Sequence, residues 1–162
     1  MTIAELMLPE FDREMARTRA VLAKVPPDQM NWQPSDGLRT IGWNANHLAD
    51  IVGWTRSIIE HDSFDLAPLE GPQPETLKLE DPARILQAFE EAVADARRVL
   101  ERTSDETMAE NWSLKQGGQS LFTISKGDCL RTWVLNHAVH HRAILSVYLR
   151  MAGVEMTPVY DQ

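Results

Sequence analysis

Between Ile3 and Lys24 the residues Leu6, Met7, Phe11, Met15, Thr18, Val21 and Leu22 recur at three- and four-residue steps. That period marks one buried face and predicts a helix over about 3–24. Pro26 and Pro27 stop it. A polar loop follows, holding Trp32, Pro34 and the turn pair Asp36-Gly37. A second stripe, Trp43, His47, Ile51, Trp54 and Ile58, predicts a helix from about Thr40 to His61. Residues 62–80 carry Pro68, Gly71, Pro72 and Pro74, the composition of a long connection that crosses between bundle helices. A third helix starts with Asp81 as N-cap and Pro82 in its first turn, and runs to about Arg102 with Ile85, Phe89, Val93 and Leu100 facing inward.

The pattern then breaks. Residues 103–124 read as irregular, with Trp112, the pair Gly117-Gly118 and a short apolar run, Leu121-Phe122, that either forms a strand or packs over a bundle end. Ser125 or Thr123 caps a last helix reaching about Ala152, with Gly153 at the C′ position and Pro158 beyond. Four helices of roughly twenty residues with long middle connections predict an all-α four-helix bundle. The alternative is an irregular all-α domain with a small β-hairpin. No internal repeat or low-complexity tract is evident, and the 162 residues suit one domain, 1–162, with one core.

Composition narrows the function. Apolar residues at 43% and charged residues at 25% are ordinary for a globular chain. No apolar run is long enough to cross a bilayer, so no membrane partner is expected. The acids within the first ten residues and the missing apolar h-region argue against a signal peptide. The single cysteine, Cys129, forbids an internal disulfide and fits a cytoplasmic location. A net charge of -8 without any basic run excludes a nucleic-acid partner. A small-molecule substrate, or another protein, is what remains.

The candidate chemistry lies in NHAVHHRAIL, residues 136–145, which holds three of the five histidines. On a helical wheel His137 and His141 are one turn apart and differ by roughly 40° in direction. Leu130, Trp133, Ile144, Tyr148 and Met151 share their face, so both rings point toward the core; His140 sits on the flank. Two imidazoles at i and i+4 are a common helical grip on a metal ion, and a third ligand is needed. His47, on an otherwise apolar stripe, supplies one. The competing reading makes each ring a hydrogen-bonded packing residue, although burying several imidazoles without partners is costly. His61, at a helix end before Asp62, reads as exposed.

The surrounding residues carry weaker signals. Asp50, one turn after His47, either orients that ring or acts as a base, as outer-shell carboxylates do, or is a solvated acid on the helix flank. The slot that holds a glutamate in HExxH metalloproteases is Ala138, which disfavours peptide hydrolysis. Arg142 points away from His141 and reads as a salt bridge or a dimer contact before a substrate ligand. Lys126 and Arg131 read as surface charge that a substrate carboxylate could meet. Trp43, Trp54 and Trp133 are bundle core or walls of an apolar pocket over the metal, and Cys129 is a packed thiol.

The segments NHLADIVGW around His47 and LNHAVHHRAILSVYLRMAG from Leu135 to Gly153 resemble the DinB family of YfiT-like helical bundles. The loop PPDQMNWQPSDG and the ending TPVYD are also similar to that family. The resemblance implies a four-helix bundle of up-down-down-up course with a long crossover. It implies a divalent metal, nickel or zinc, held by His47, His137 and His141, and a homodimer. It further implies a metal-dependent transferase using a low-molecular-weight thiol, as in bacillithiol transferases and mycothiol-dependent maleylpyruvate isomerases. The rivals are a metal-dependent hydrolase, a stress-related binding bundle without turnover, and a metal-free cluster of mutually bonded histidines.

Overall fold

Helix α1 spans Ile3–Leu22 and opens on a capping box: the Thr2 hydroxyl accepts from the Glu5 N–H, and the Glu5 carboxylate accepts from the Thr2 N–H. The structure is a computed structural model and describes residues 1–160. Positions 161 and 162, including the aspartate that closes TPVYD, lie outside the described residues. Along α1, Met7, Phe11, Met15, Thr18, Val21 and Leu22 are buried as expected, but Leu6 is 63% exposed. Adjacent helical residues point about 100° apart, and Leu6 falls on the outer side of Met7.

Helix α2 covers Ile41–Glu60, with the Thr40 hydroxyl accepting from the Trp43 N–H at 3.0 Å. The preceding loop is clamped onto its first turn. The Ile41 N–H donates to the Trp32 carbonyl at 2.9 Å, and the Gly42 N–H to the Met30 carbonyl at 2.8 Å. A Cβ at position 42 would lie 2.8 Å from that same Met30 oxygen, so only glycine permits the approach.

The connection after α2 holds a short strand, β1 (Ser63–Asp65), and returns along α2. Asn46 pairs with the Leu79 backbone in both directions, at 2.9 and 2.8 Å. Helix α3 (Pro82–Glu101) begins where the sequence places it, with the Asp81 side chain accepting from the Ala83 N–H.

Residues 103–124, expected to be irregular, are ordered. A one-turn helix, α4 (Asp105–Ala109), leads into β2 (Asn111–Gln116) and β3 (Gln119–Ser125). These strands pair antiparallel across Gly117-Gly118, both at positive φ (59° and 77°), the backbone a tight two-residue hairpin demands. Strand β1 pairs parallel to β2, giving the order β1-β2-β3. Asp65 fastens the hairpin tip, accepting from the Gly117 and Gly118 N–H groups at 3.0 and 2.7 Å. The all-α expectation is therefore corrected: the chain is mostly helical, with a small three-stranded sheet.

The last helical run has three pieces: α5 (Lys126–Cys129), a π-helical stretch (Leu130–Asn136) and α6 (His137–Met151). Ser125, not Thr123, is its N-cap. Gly153 (φ 85°) ends it, with Val154 N–H returning to the Leu149 carbonyl and Gly153 N–H to that of Arg150, a Schellman closure. In the bundle α1 and α2 each pack against α3 and α6, so the ring of neighbours runs α1–α3–α2–α6. The core inside it includes Phe11, Met15, Leu48, Ile51, Phe89, Leu100, Leu145 and Leu149. Among the described residues no helix is long and apolar enough to cross a membrane.

Candidate metal centre

Three rings from two helices meet between α2 and α6. The centroid separations are 5.1 Å for His47–His137, 4.5 Å for His47–His141 and 4.8 Å for His137–His141. One nitrogen from each ring lies within 4.8 Å of the other two. His137 Nε2 and His141 Nε2 stand 3.1 Å apart. Two nitrogens bound to one tetrahedral ion are separated by about 3.3 Å, so that pair already has the spacing of co-ligands.

The Asn44 amide nitrogen donates to the Thr40 carbonyl at 2.9 Å, which fixes the direction of the amide. Asn44 Oδ1, 3.0 Å from His141 Nδ1, can therefore only accept. The proton sits on Nδ1, and His141 Nε2 is left with a bare lone pair facing His137. If His137 donates to it from Nε2, its own Nδ1, buried without a well-formed partner, is stranded. If Nδ1 carries the proton instead, toward the Trp133 backbone that interacts with the ring, two lone pairs confront each other. Protons alone satisfy neither arrangement. A divalent cation accepts both lone pairs, and the donor set of three neutral imidazoles fits zinc, nickel, iron or copper.

The rings are held neutral. Burial, then the charges of His137 and Arg39, push His47 down to about 4. Burial and the neighbouring imidazoles push His141 down to about 3, and burial also lowers His137. Indoles wall the cluster: Trp43 lies 4.5 Å from His47 and 5.6 Å from His141, Trp54 lies 5.6 Å from both His47 and His137, and Trp133 lies 5.9 Å from His137. Trp43 and Trp54 are half-buried, and Trp133 is 38% exposed and stacked on Phe122 of β3. Trp54 packs against the bundle core, while Trp43 and Trp133 lie outside it beside the rings.

The other candidates separate cleanly. Both Asp50 oxygens lie 3.2 Å from the Leu77 N–H, so this half-buried acid tethers the connection to α2. Burial raises its pKa, against that hydrogen bond. Arg142 is buried in an ion pair with Glu14 at 2.6 Å, and Ala138 is fully buried. Lys126, read as surface charge, is 3% exposed: it donates to Glu110 at 2.8 Å and to the Ile59 carbonyl at 3.0 Å, joining the end of α2 to the start of α5. Arg131 is exposed and paired with Glu10 at 3.3 Å. Cys129 is buried, its thiol pushed up to about 12 by desolvation. His61 and His140 are exposed. Asn44 is the site residue that sequence reasoning passed over. Its signal was position, one turn before His47 on the same face.

The chain matches the DinB superfamily over residues 10–145. It belongs to that superfamily. No curated protein matches it in sequence. Solved structures of the family share the fold at low identity. The DinB-like protein YjoA of Bacillus subtilis superposes with a TM-score of 0.70 at 17% identity, over 94% of this chain and 96% of that one. A DinB-like protein from Bacillus cereus gives 0.72 at 18%, over 93% of each chain. YfiT from Bacillus subtilis, described as a probable metal-dependent hydrolase with an unusual four-helix bundle topology, gives 0.69 at 18%, over 94% and 89%.

Proposed function

We propose that this DinB superfamily member is a metal-dependent enzyme whose divalent ion, nickel or zinc, is held by His47, His137 and His141. The observation that carries this reading is the convergence of three imidazole nitrogens within 4.8 Å, with one facing pair that no arrangement of neutral rings satisfies. An ion with three neutral ligands keeps its charge and lowers the pKa of a small nucleophile placed beside it. The chain's own residues do the rest. Asn44 fixes the proton of His141 on Nδ1, so that its Nε2 keeps a lone pair toward the site. Trp43, Trp54 and Trp133 exclude water and bind the apolar part of a small substrate.

The reaction we favour transfers a low-molecular-weight thiol to a small electrophile: a carbon–sulfur bond forms as the electrophile's π bond or its bond to a leaving group breaks, and the thiol proton reaches the resulting anion through solvent. Ala138, where a metalloprotease carries its glutamate, and the engagement of Asp50 with Leu77 support sulfur as the nucleophile, because a thiol needs no general base once its pKa is lowered. The second reading, hydrolysis, is favoured by the description of YfiT. The proposal includes one domain over 1–162, the up-down-down-up course with a long crossover, a homodimer and a cytoplasmic location.

Elemental analysis of the purified protein beside His137→Ala tests the centre. One ion per chain in the parent and its loss in the variant are expected; equal metal content in both overturns the site. Screening electrophiles with and without thiols then separates the reactions. Product without thiol makes the enzyme a hydrolase, and a bound ion without turnover leaves a binding protein.

A further inference from the structure

Arg39 precedes the Thr40 cap of α2 and lies exposed at the rim of the histidine cluster. Its guanidinium sits over the Trp43 ring, 4.6 Å from the centroid, and Trp43 in turn lies against His47 and His141. One indole thus links this cation to the rings. The two cations that the sequence offered for a substrate carboxylate are both engaged elsewhere, Lys126 with Glu110 and Arg131 with Glu10. Arg39 forms no ion pair among the described residues.

The backbone nearby offers no competing anion site. The Ile41, Gly42 and Trp43 N–H groups at the start of α2 are already taken by the Trp32 and Met30 carbonyls and the Thr40 hydroxyl. The guanidinium is therefore the donor left to meet an anion there. It keeps five N–H groups in a planar fork that matches a carboxylate, while the cation–π contact restrains its direction. In a chain of net charge -8, an exposed arginine with no ion pair among the described residues, beside the indole that lies against His47 and His141, opposes the overall field for an approaching small anion.

We infer that Arg39 is a specificity-determining residue that anchors an organic carboxylate, with the carboxylate on the guanidinium, the apolar middle along Trp43, and the reacting end at the three histidines. This rests on the metal reading above. The carboxylate belongs either to the thiol or to its electrophilic partner, and the probes separate the two.

The test uses the cobalt-loaded full chain. Mercaptoalkanoates with two to five methylenes are titrated against the matching mercaptoalcohols, following the thiolate-to-cobalt absorption. Parallel titrations follow 4-methylbenzoate and 4-methylbenzamide through tryptophan fluorescence. One acid length should bind about tenfold more tightly than its alcohol, the energy of a charge-assisted pair. Arg39→Gln should abolish that preference, and Arg39→Lys should retain part of it, with thermal midpoints unchanged. A preference confined to the thiol series places the carboxylate on the nucleophile; one confined to the benzoate series places it on the electrophile. Equal binding of acids and alcohols and of benzoate and benzamide, or a preference that survives Arg39→Gln, overturns the inference and leaves the metal site standing. Failure of cobalt to bind overturns both.

Discussion

Arg142 carries a full charge into the bundle, and Glu14 is what makes that tolerable. Arg142 is 3% exposed, with Nη1 donating to the Glu14 carbonyl at 3.0 Å and Nη2 paired with the Glu14 carboxylate. Burial by itself would raise the Glu14 pKa, but Arg142 and Arg17 outweigh it and hold the group below its ordinary 4.5. A carboxyl depressed in the folded state stabilises fully above its unfolded pKa and loses that contribution as the pH falls through the folded value. Thermal melts should therefore show a stability deficit for Glu14→Gln of about 2 kcal/mol at pH 7 that shrinks below pH 4.5. A constant deficit from pH 7 to 3 would show that the charge is not the cause. The residue scale is also where the sequence is most uneven. Three histidines on apolar stripes stand out because that residue type is dear to bury. Asn44 does not, since an asparagine in a first helical turn looks like any polar residue. Lys126 looked solvated because nothing in its neighbourhood in sequence announces Glu110 or the Ile59 carbonyl, which reach it through the fold.

At the level of elements, the entry to α2 carries a sharp requirement. Gly42→Ala places a methyl against the Met30 carbonyl and should cost about 1–3 kcal/mol, lowering the melting midpoint by several degrees. Gly53 offers the opposite case on the same helix. It is exposed, with nothing within 4 Å of an added Cβ, so Gly53→Ala should gain about 0.5–1 kcal/mol. Equal effects at the two positions would refute the clamp. The first three long helices were legible because their apolar stripes extend over five turns; the last was legible by its ends, since the face read as buried carries Trp133 and Met151, 38% and 59% exposed, while Arg142 and Leu149 are buried. The hairpin was legible only as an alternative, on the signal of Gly117-Gly118 and the apolar run Leu121-Phe122. Its strands are short, and Leu121 is 53% exposed, so no alternation of buried and exposed positions survives to be counted. The π stretch was invisible for a different reason: a 3.6-residue wheel drawn through Leu130–Asn136 assumes the very winding that the chain abandons there.

For the whole molecule, an ion at the centre would join distant parts of the chain. Ligand binding to the folded state alone raises stability by about 1.4 kcal/mol for each tenfold rise in free ion above its dissociation constant. The melting midpoint should climb with added nickel or zinc in the parent and stay flat in His47→Ala; a parallel climb in both would deny His47 its part. The exposed connection at 62–80 lies between His47 and the other two rings, and Leu69 there is 83% exposed. A protein clipped at that point becomes two fragments, each owning a share of the ligand set, one ring upstream and two downstream. Reassembly of such halves would then be gated by metal supply, turning the long crossover into a natural seam for a split reporter of divalent ions.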